Sequence, residues 1–185
     1  MNISVLRIIE ASVDILNADG IEGLTMRKIA DRLQVAAASL YFHVKDKKEL
    51  YGLITEHICK SILCQIRQED TLKSICFTVR KEFEKVKDVS QLFVVAPPVT
   101  EGRIALINLI FGKLQELGVE KNYLAVAGNL LNNYILSFVT DESAWSGGED
   151  TSADIPFDIG ITDIDKQFEF GLQVIFTGLE ASKKS

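Results

Sequence analysis

A chain of 185 residues with 47% apolar and 25% charged side chains has the make-up of a folded globular protein and excludes a disordered or fibrous one. No apolar run approaches the roughly 20 residues of a membrane-spanning helix, and Glu10 and Asp14 interrupt the first apolar stretch, unlike a secretory leader, so a cytoplasmic chain is expected. The net charge of −6 argues against a nucleic-acid partner until it is resolved along the chain: residues 23–48 carry six bases against two acids, while 140–170 carry nine acids against Lys166 alone.

The elements read as helices in chain order. From Ser4 to Leu16, Val5, Ile8, Ile9, Ile15 and Leu16 mark one helical face, which Asp19-Gly20 is expected to end. Thr25 is placed to cap a short helix whose inner face is Ile29, Ala30 and Leu33. Gln34 and Val35 turn the chain into a helix over Ala36–His43. Asp46, with Glu49 three residues on, resembles a capping box and opens a long helix with the stripe Leu50, Leu53, Ile54, Ile58 and Ile62.

Thr71–Val86 is amphipathic, with Ile75, Val79, Phe83 and Val86 aligned. Pro97-Pro98 separates a short apolar segment, Leu92–Ala96, from a helix near Thr100–Leu117 that Gly118 can terminate. A long helix follows over Tyr123–Val139. The acidic stretch with Gly147-Gly148 and Pro156 is expected as a loop, and a last helix runs from about Asp163 to Ser182. With no alternating strand pattern, the fold class is all-α.

Cys59, Cys64 and Cys76 cannot all pair within one chain and read as small buried hydrophobes. His57, Cys59 and Cys64 match no common zinc spacing, so neither a metal nor a cofactor is expected.

Two short helices joined by a tight turn, after a long helix, describe a helix-turn-helix. Leu40 is expected to face inward with Ile29, Ala30 and Val35, leaving Ala36, Ala37, Ser39 and Tyr41 outside. Small residues at the front let a helix backbone approach the major groove closely, where alanine methyls meet thymine methyls and a serine hydroxyl meets a base edge or phosphate. Tyr41 and His43 offer hydrogen bonds to phosphate, and Lys47 adds charge at the start of the next helix. Phe42, a large ring, is expected to pack between helices. Taken singly, these residues equally suit a solvated face and an ordinary core.

The unbroken run GIEGLTMRKIADRLQVAAASLYFHVKDKKEL, residues 20–50, carries G-x-x-x-L-T-x-R-x-[IL]-A, then S-L-Y-x-H-[VF], then K-x-K-x-x-L. It resembles the DNA-binding domain of the tetracycline-repressor (TetR) family. FEFGLQVIFTGLE, residues 168–180, is similar to the final, dimer-forming helix of that family's tetracycline-binding members. The resemblance implies an N-terminal DNA-binding domain over residues 1–48, a connecting helix over about 47–66 and a ligand-binding and dimerisation domain over 67–185. It further implies a homodimer on a palindromic double-stranded operator, acting as a repressor released by a small-molecule inducer. Carried over position by position, the DNA-contacting set is Thr25, Arg27, Ala37, Ala38, Ser39, Tyr41, His43 and Lys47. Gln34 stands where the family usually has Gly. Ala36-Ala37-Ala38 replaces a bulkier polar residue and a proline, so the family's operator sequence does not transfer.

The inducer pocket is expected near Phe77, Phe83, Phe93, Pro97 and Phe111, rings that also suit a plain core. Phe93, Ala96 and Pro97 stand where tetracycline-binding members carry His, Thr and Arg, and Leu63 where they carry a drug-binding His. A magnesium–tetracycline complex is therefore not expected, and an apolar or aromatic inducer is. Leu131 and Tyr134, with Phe168, Gly171, Leu172, Ile175, Gly178 and Leu179, are expected to form the dimer face, two helices from each subunit making a four-helix bundle. An enzyme is not expected: there is no nucleophile elbow, glycine-rich phosphate loop or HExxH, and the chain has two histidines. The remaining alternative is a dimeric small-molecule binder without operator binding, whose mark would be an uncharged 23–48 segment.

Overall fold

The computed structural model describes residues 3–97, 99–146 and 163–182. The acidic segment expected as a loop lies outside the described residues from position 147 onward. Among the described residues every regular element is helical, giving an N-terminal helix-turn-helix followed by a helical domain.

Helix α1 spans Val5–Gly23, with the Ser4 side chain accepting from the Arg7 amide at its start. It does not stop at Asp19-Gly20 as expected. Gly20 takes φ 72° and ψ −179°, kinking the helix, and one more turn follows. That left-handed φ suits glycine, and a Cβ there would lie 2.7 Å from Asp88 Oδ2. The kink frees the Ile21 amide, which donates to Asp88 Oδ2 at 2.8 Å. Nearby, Asn17 donates to the Lys85 carbonyl and accepts from the Lys87 amide, both at 2.9 Å. The first helix is thereby tied to a turn near residue 88.

Helix α2, Met26–Leu33, is capped by Thr25, whose side chain accepts from the Lys28 amide. Gln34 closes it in the left-handed region at φ 55°. Helix α3 is one turn, Ala37–Leu40, and α4 spans Lys47–Gln65. The Asp46 carboxylate accepts from the Glu49 amide at 2.8 Å, and Glu49 reaches back to the Lys45 amide at 2.6 Å. This is the expected capping box displaced by one residue at its upstream end.

Helices α5 (Leu72–Phe83), α6 (Val89–Val95), α7 (Glu101–Glu116), α8 (Leu124–Ser146) and α9 (Ile164–Ala181) complete the fold. Gly118 has φ 85° just past α7, and a 3-10 turn over Lys121–Tyr123 leads into α8. Helix α4 is shared by both parts of the chain, packing on α1, α5, α6 and α7. One continuous apolar core runs from Ile8, Leu16 and Leu40 through Ile54 and Ile62 to Phe83, Phe168 and Leu172.

A buried cation locks the far end. Arg80 on α5 holds Glu142 of α8 with two hydrogen bonds, at 3.1 and 2.7 Å, and Asp165 of α9 at 2.8 Å. Its Nε lies 2.6 Å from Glu84, and its guanidinium stacks 4.9 and 5.0 Å from the Phe138 and Phe168 ring centroids. Burial works against this charge, but the carboxylate hydrogen bonds outweigh it and hold the guanidinium's pKa above its ordinary value.

Candidate nucleic-acid interface and ligand cavity

The exposed front of the helix-turn-helix follows from two inward anchors. Leu40 and Val44 are buried and four residues apart, so the three ring-bearing residues between them must point away from the core. The His43 and Val44 amides both return to the Leu40 carbonyl at 2.9 Å, so the chain tightens after one helical turn instead of continuing to His43 as expected. Phe42 is 87% exposed, which corrects the expectation that it packs between helices.

Thr25, Arg27, Ala37, Ala38, Tyr41, His43 and Lys47 are all exposed, and Ser39 is half-buried. Thr25 already accepts a hydrogen bond as the α2 cap. Arg27 stands loosely against Asp31 at 4.0 Å, both largely exposed. Lys47 lies 5.5 Å from the Tyr51 ring centroid.

Not every base of this segment is available. Lys28 donates to Asp19 at 2.8 Å and holds that carboxyl below its ordinary value, and Arg32 donates to Asp14 at 2.6 Å. Both pairs fasten α2 to α1. Among the described residues no ion pair engages Lys45, Lys47 or Lys48, so the outward charge comes from these three and Arg27. The two structural pairs escape a tally of local charge because their acids lie upstream, in α1.

In the helical domain a cavity of about 200 Å³ opens between α4, α5, α6, α7 and α8. Phe83, Phe93 and Phe111 line it, the first two with ring centroids 4.9 Å apart. Phe77 and Pro97 do not line it. Phe77 meets Phe168 edge-on at 5.0 Å, and Pro97 lies 3.5 Å from where a Gly52 Cβ would sit on α4. Cys59 and Cys76 also line the cavity, and burial pushes both thiols up to about 12. Cys64, expected buried, is exposed. Among the described residues no three His, Cys, Asp or Glu side chains converge on a metal-sized site. Sequence reading passed over Arg103, which enters the cavity from α7; its trace in the sequence is a cation three residues before Leu106 on an apolar face.

The expected dimer stripe is turned away from its expected direction. Leu131, Phe168 and Leu172 are buried within the chain itself, and Tyr134 stacks on Phe168 at 5.4 Å. A Cβ on Gly171 would come 2.1 Å from the Tyr134 hydroxyl, so this glycine serves an intramolecular contact. Ile175 and Leu179 are half-buried against the same core. Because each residue turns a helix by about 100°, the aromatic pull of α5 and α8 on Phe168 sets what remains outside. That face holds Phe170 and Val174 on α9, with Val126 and Leu130 on α8, and Gly178 meets open space.

Residues 8–54 match the model of the bacterial regulatory proteins, tetR family. The N-terminal domain belongs to the TetR family. Beyond it, the chain is 27% identical over 143 residues, 75% of its length, to an HTH-type transcriptional regulator of Saccharopolyspora erythraea, and spans 61% of that relative. The TetR family protein ActR of Streptomyces coelicolor, solved in complex with actinorhodin, superposes with a TM-score of 0.81 at 22% identity over 98% of this chain and 99% of that one. BioQ, solved with its double-stranded DNA operator, gives 0.76 at 23% over 97% and 99%. These two likenesses show a shared fold along nearly the whole chain, C-terminal helices included. Among the described residues no helix is long and apolar enough to cross a membrane.

Proposed function

We propose that the protein is a cytoplasmic, homodimeric transcription regulator, a repressor that binds a palindromic operator and is released by a small, largely apolar inducer. The observation that carries this reading is the outward set Ala36–Ala38 and Tyr41–His43 on a one-turn helix fixed by Leu40 and Val44, with Arg27, Lys45, Lys47 and Lys48 around it. Small residues allow close approach to base edges, the rings and bases reach the flanking phosphates, and the remaining negative charge lies elsewhere in the chain. Two copies are needed to read two half-sites one helical turn apart. The apolar stripe of Val126, Leu130, Phe170 and Val174 is the surface that brings them together.

The cavity reaches the DNA face through α4. Gly102, one residue before Arg103, donates its amide to Glu56 on α4 at 2.8 Å, and Pro97 packs on Gly52 of the same helix. Lys47 stands at that helix's first position. A ligand that displaces α6 and α7 shifts α4, and with it the spacing of the two reading heads. The operator complex of BioQ and the actinorhodin complex of ActR are consistent with both halves of this reading.

The test is selection of bound sequences from random duplexes by the full chain, followed by footprinting. Two protected half-sites of inverted sequence, about one helical turn apart, are expected. A protein that enriches no sequence, and whose weak duplex binding is the same for every sequence, would refute the reading.

A further inference from the structure

The cavity between α4 and α8 is apolar on most sides and cationic at one point. Arg103 reaches it with Nη2 3.3 Å from the Phe93 carbonyl and its guanidinium 5.0 Å from the Phe93 ring centroid. Its Nη1 is buried and has no hydrogen-bond partner among the protein atoms. A guanidinium does not shed its proton in a protein. Although Arg103 is half-buried as a residue, a buried donor nitrogen of a charged group left without a partner is costly for a fold to hold. The surroundings offer no counterion. Burial lowers the Arg103 pKa, and its one titrating neighbour, the Cys59 thiol, is itself pushed up to about 12 and stays neutral. Glu56, one turn before Cys59 on α4, already accepts from the Gly102 amide at 2.8 Å and pairs with Lys60 at 2.9 Å. The contrast with Arg80, which holds three carboxylates, shows how this same chain treats a buried guanidinium that serves structure alone.

We infer that the cavity takes a small apolar carboxylate, its acid group held by Arg103 Nη1 and its body packed against Phe83, Phe93 and Phe111. This refines the inducer reading above, on which it rests, by giving the ligand a negative charge. One free donor on one guanidinium matches a monoanion. A dianionic phosphate would bring a second charge into a pocket whose lining holds no second cation to meet it, only the neutral amides of Asn129 and Asn132. The size agrees: a cavity of about 150 Å³ admits benzene, so 200 Å³ admits one ring with a short acid arm.

The experiment compares 3-phenylpropanoate with 3-phenylpropanamide, which has the same shape without the charge. Each is titrated into the full-length protein without DNA, following the thermal midpoint and heat of binding. The acid is expected to bind at least about tenfold more tightly than the amide, the usual scale of a charge-assisted hydrogen bond. In Arg103→Gln that preference is expected to vanish while amide binding persists, and in Arg103→Lys the preference is expected to survive. Equal binding of acid and amide to the wild-type protein overturns the inference, as does binding of neither, whether or not any variant folds. An acid preference that survives in Arg103→Gln also overturns it. Because these readings use no DNA, failure to release an operator would count against the regulator reading and leave the anion preference standing.

Discussion

Arg80→Ala is the perturbation whose size the structure fixes best. The side chain is 5% exposed and is the cation shared by Glu84, Glu142 and Asp165. Asp165 is itself 71% exposed and contributes little. Glu142 and Glu84 are 17% and 33% exposed, and without Arg80 they would lose the cation that lies between them. Breaking a buried ion pair in this way costs about 3–5 kcal/mol, a large share of the about 5–15 kcal/mol that stabilises a typical domain. At about 2–4 °C per kcal/mol for a chain of this size, the midpoint should fall by about 6–20 °C.

The loss has a pH signature. Burial, followed by the neighbouring Glu142, holds the Glu84 carboxyl above its ordinary value of 4.5, and Arg80 is the influence that lowers it. A raised carboxyl stabilises the folded state below its unfolded pKa, and that contribution disappears as pH rises through the folded value. Removing Arg80 raises the folded value further. The deficit should therefore be widest at neutral pH and shrink as the pH approaches the ordinary carboxylate range. Urea unfolding of wild type and variant across that range measures it. A loss below about 1 kcal/mol, the level of an exposed pair, or a deficit independent of pH, would refute the reasoning.

Phe42→Ala should leave stability within about 0.5 kcal/mol, as for other exposed positions, while weakening duplex binding about tenfold or more, the scale of a lost anchor at an interface; urea unfolding and fluorescence anisotropy read the two. Lys47→Ala should lower the slope of log affinity against log salt by about one unit, and an unchanged slope would remove Lys47 from the phosphate contacts. Asn17→Ala breaks two hydrogen bonds between α1 and the turn before α6. It should cost about 1–2 kcal/mol in unfolding free energy and reduce several-fold the effect of 3-phenylpropanoate on operator affinity, measured by anisotropy with and without the acid.

The helices were legible because their ends carry local signals. Thr25 and Asp46 each cap the helix expected of them, the last helix starts at Asp163 as expected, and Gly118 ends α7. Gln34 holds a left-handed φ without being glycine, at a cost of about 1–2 kcal/mol, and the turn keeps its register. Two kinds of feature were not legible. One is direction: Phe42 and Phe168 are both aromatics in apolar surroundings, yet one is 87% exposed and the other fully buried, because Leu40 and Val44 fix the first and Phe77, Tyr134 and Phe138 enclose the second. The other is pairing across the chain. Arg80 meets acids 62 and 85 residues away, and Arg103 meets none in its cavity, differences that no local pattern encodes.

The face built on α3 is tested most directly by Ala37→Glu, read as affinity for the selected operator beside the unfolding midpoint. Ala37 is exposed at the first position of α3, where an acid suits the helix end, so the fold should be unaffected. Operator binding should be lost while the midpoint stays at the wild-type value. Full operator affinity in a folded Ala37→Glu protein would mean that the DNA contacts another surface.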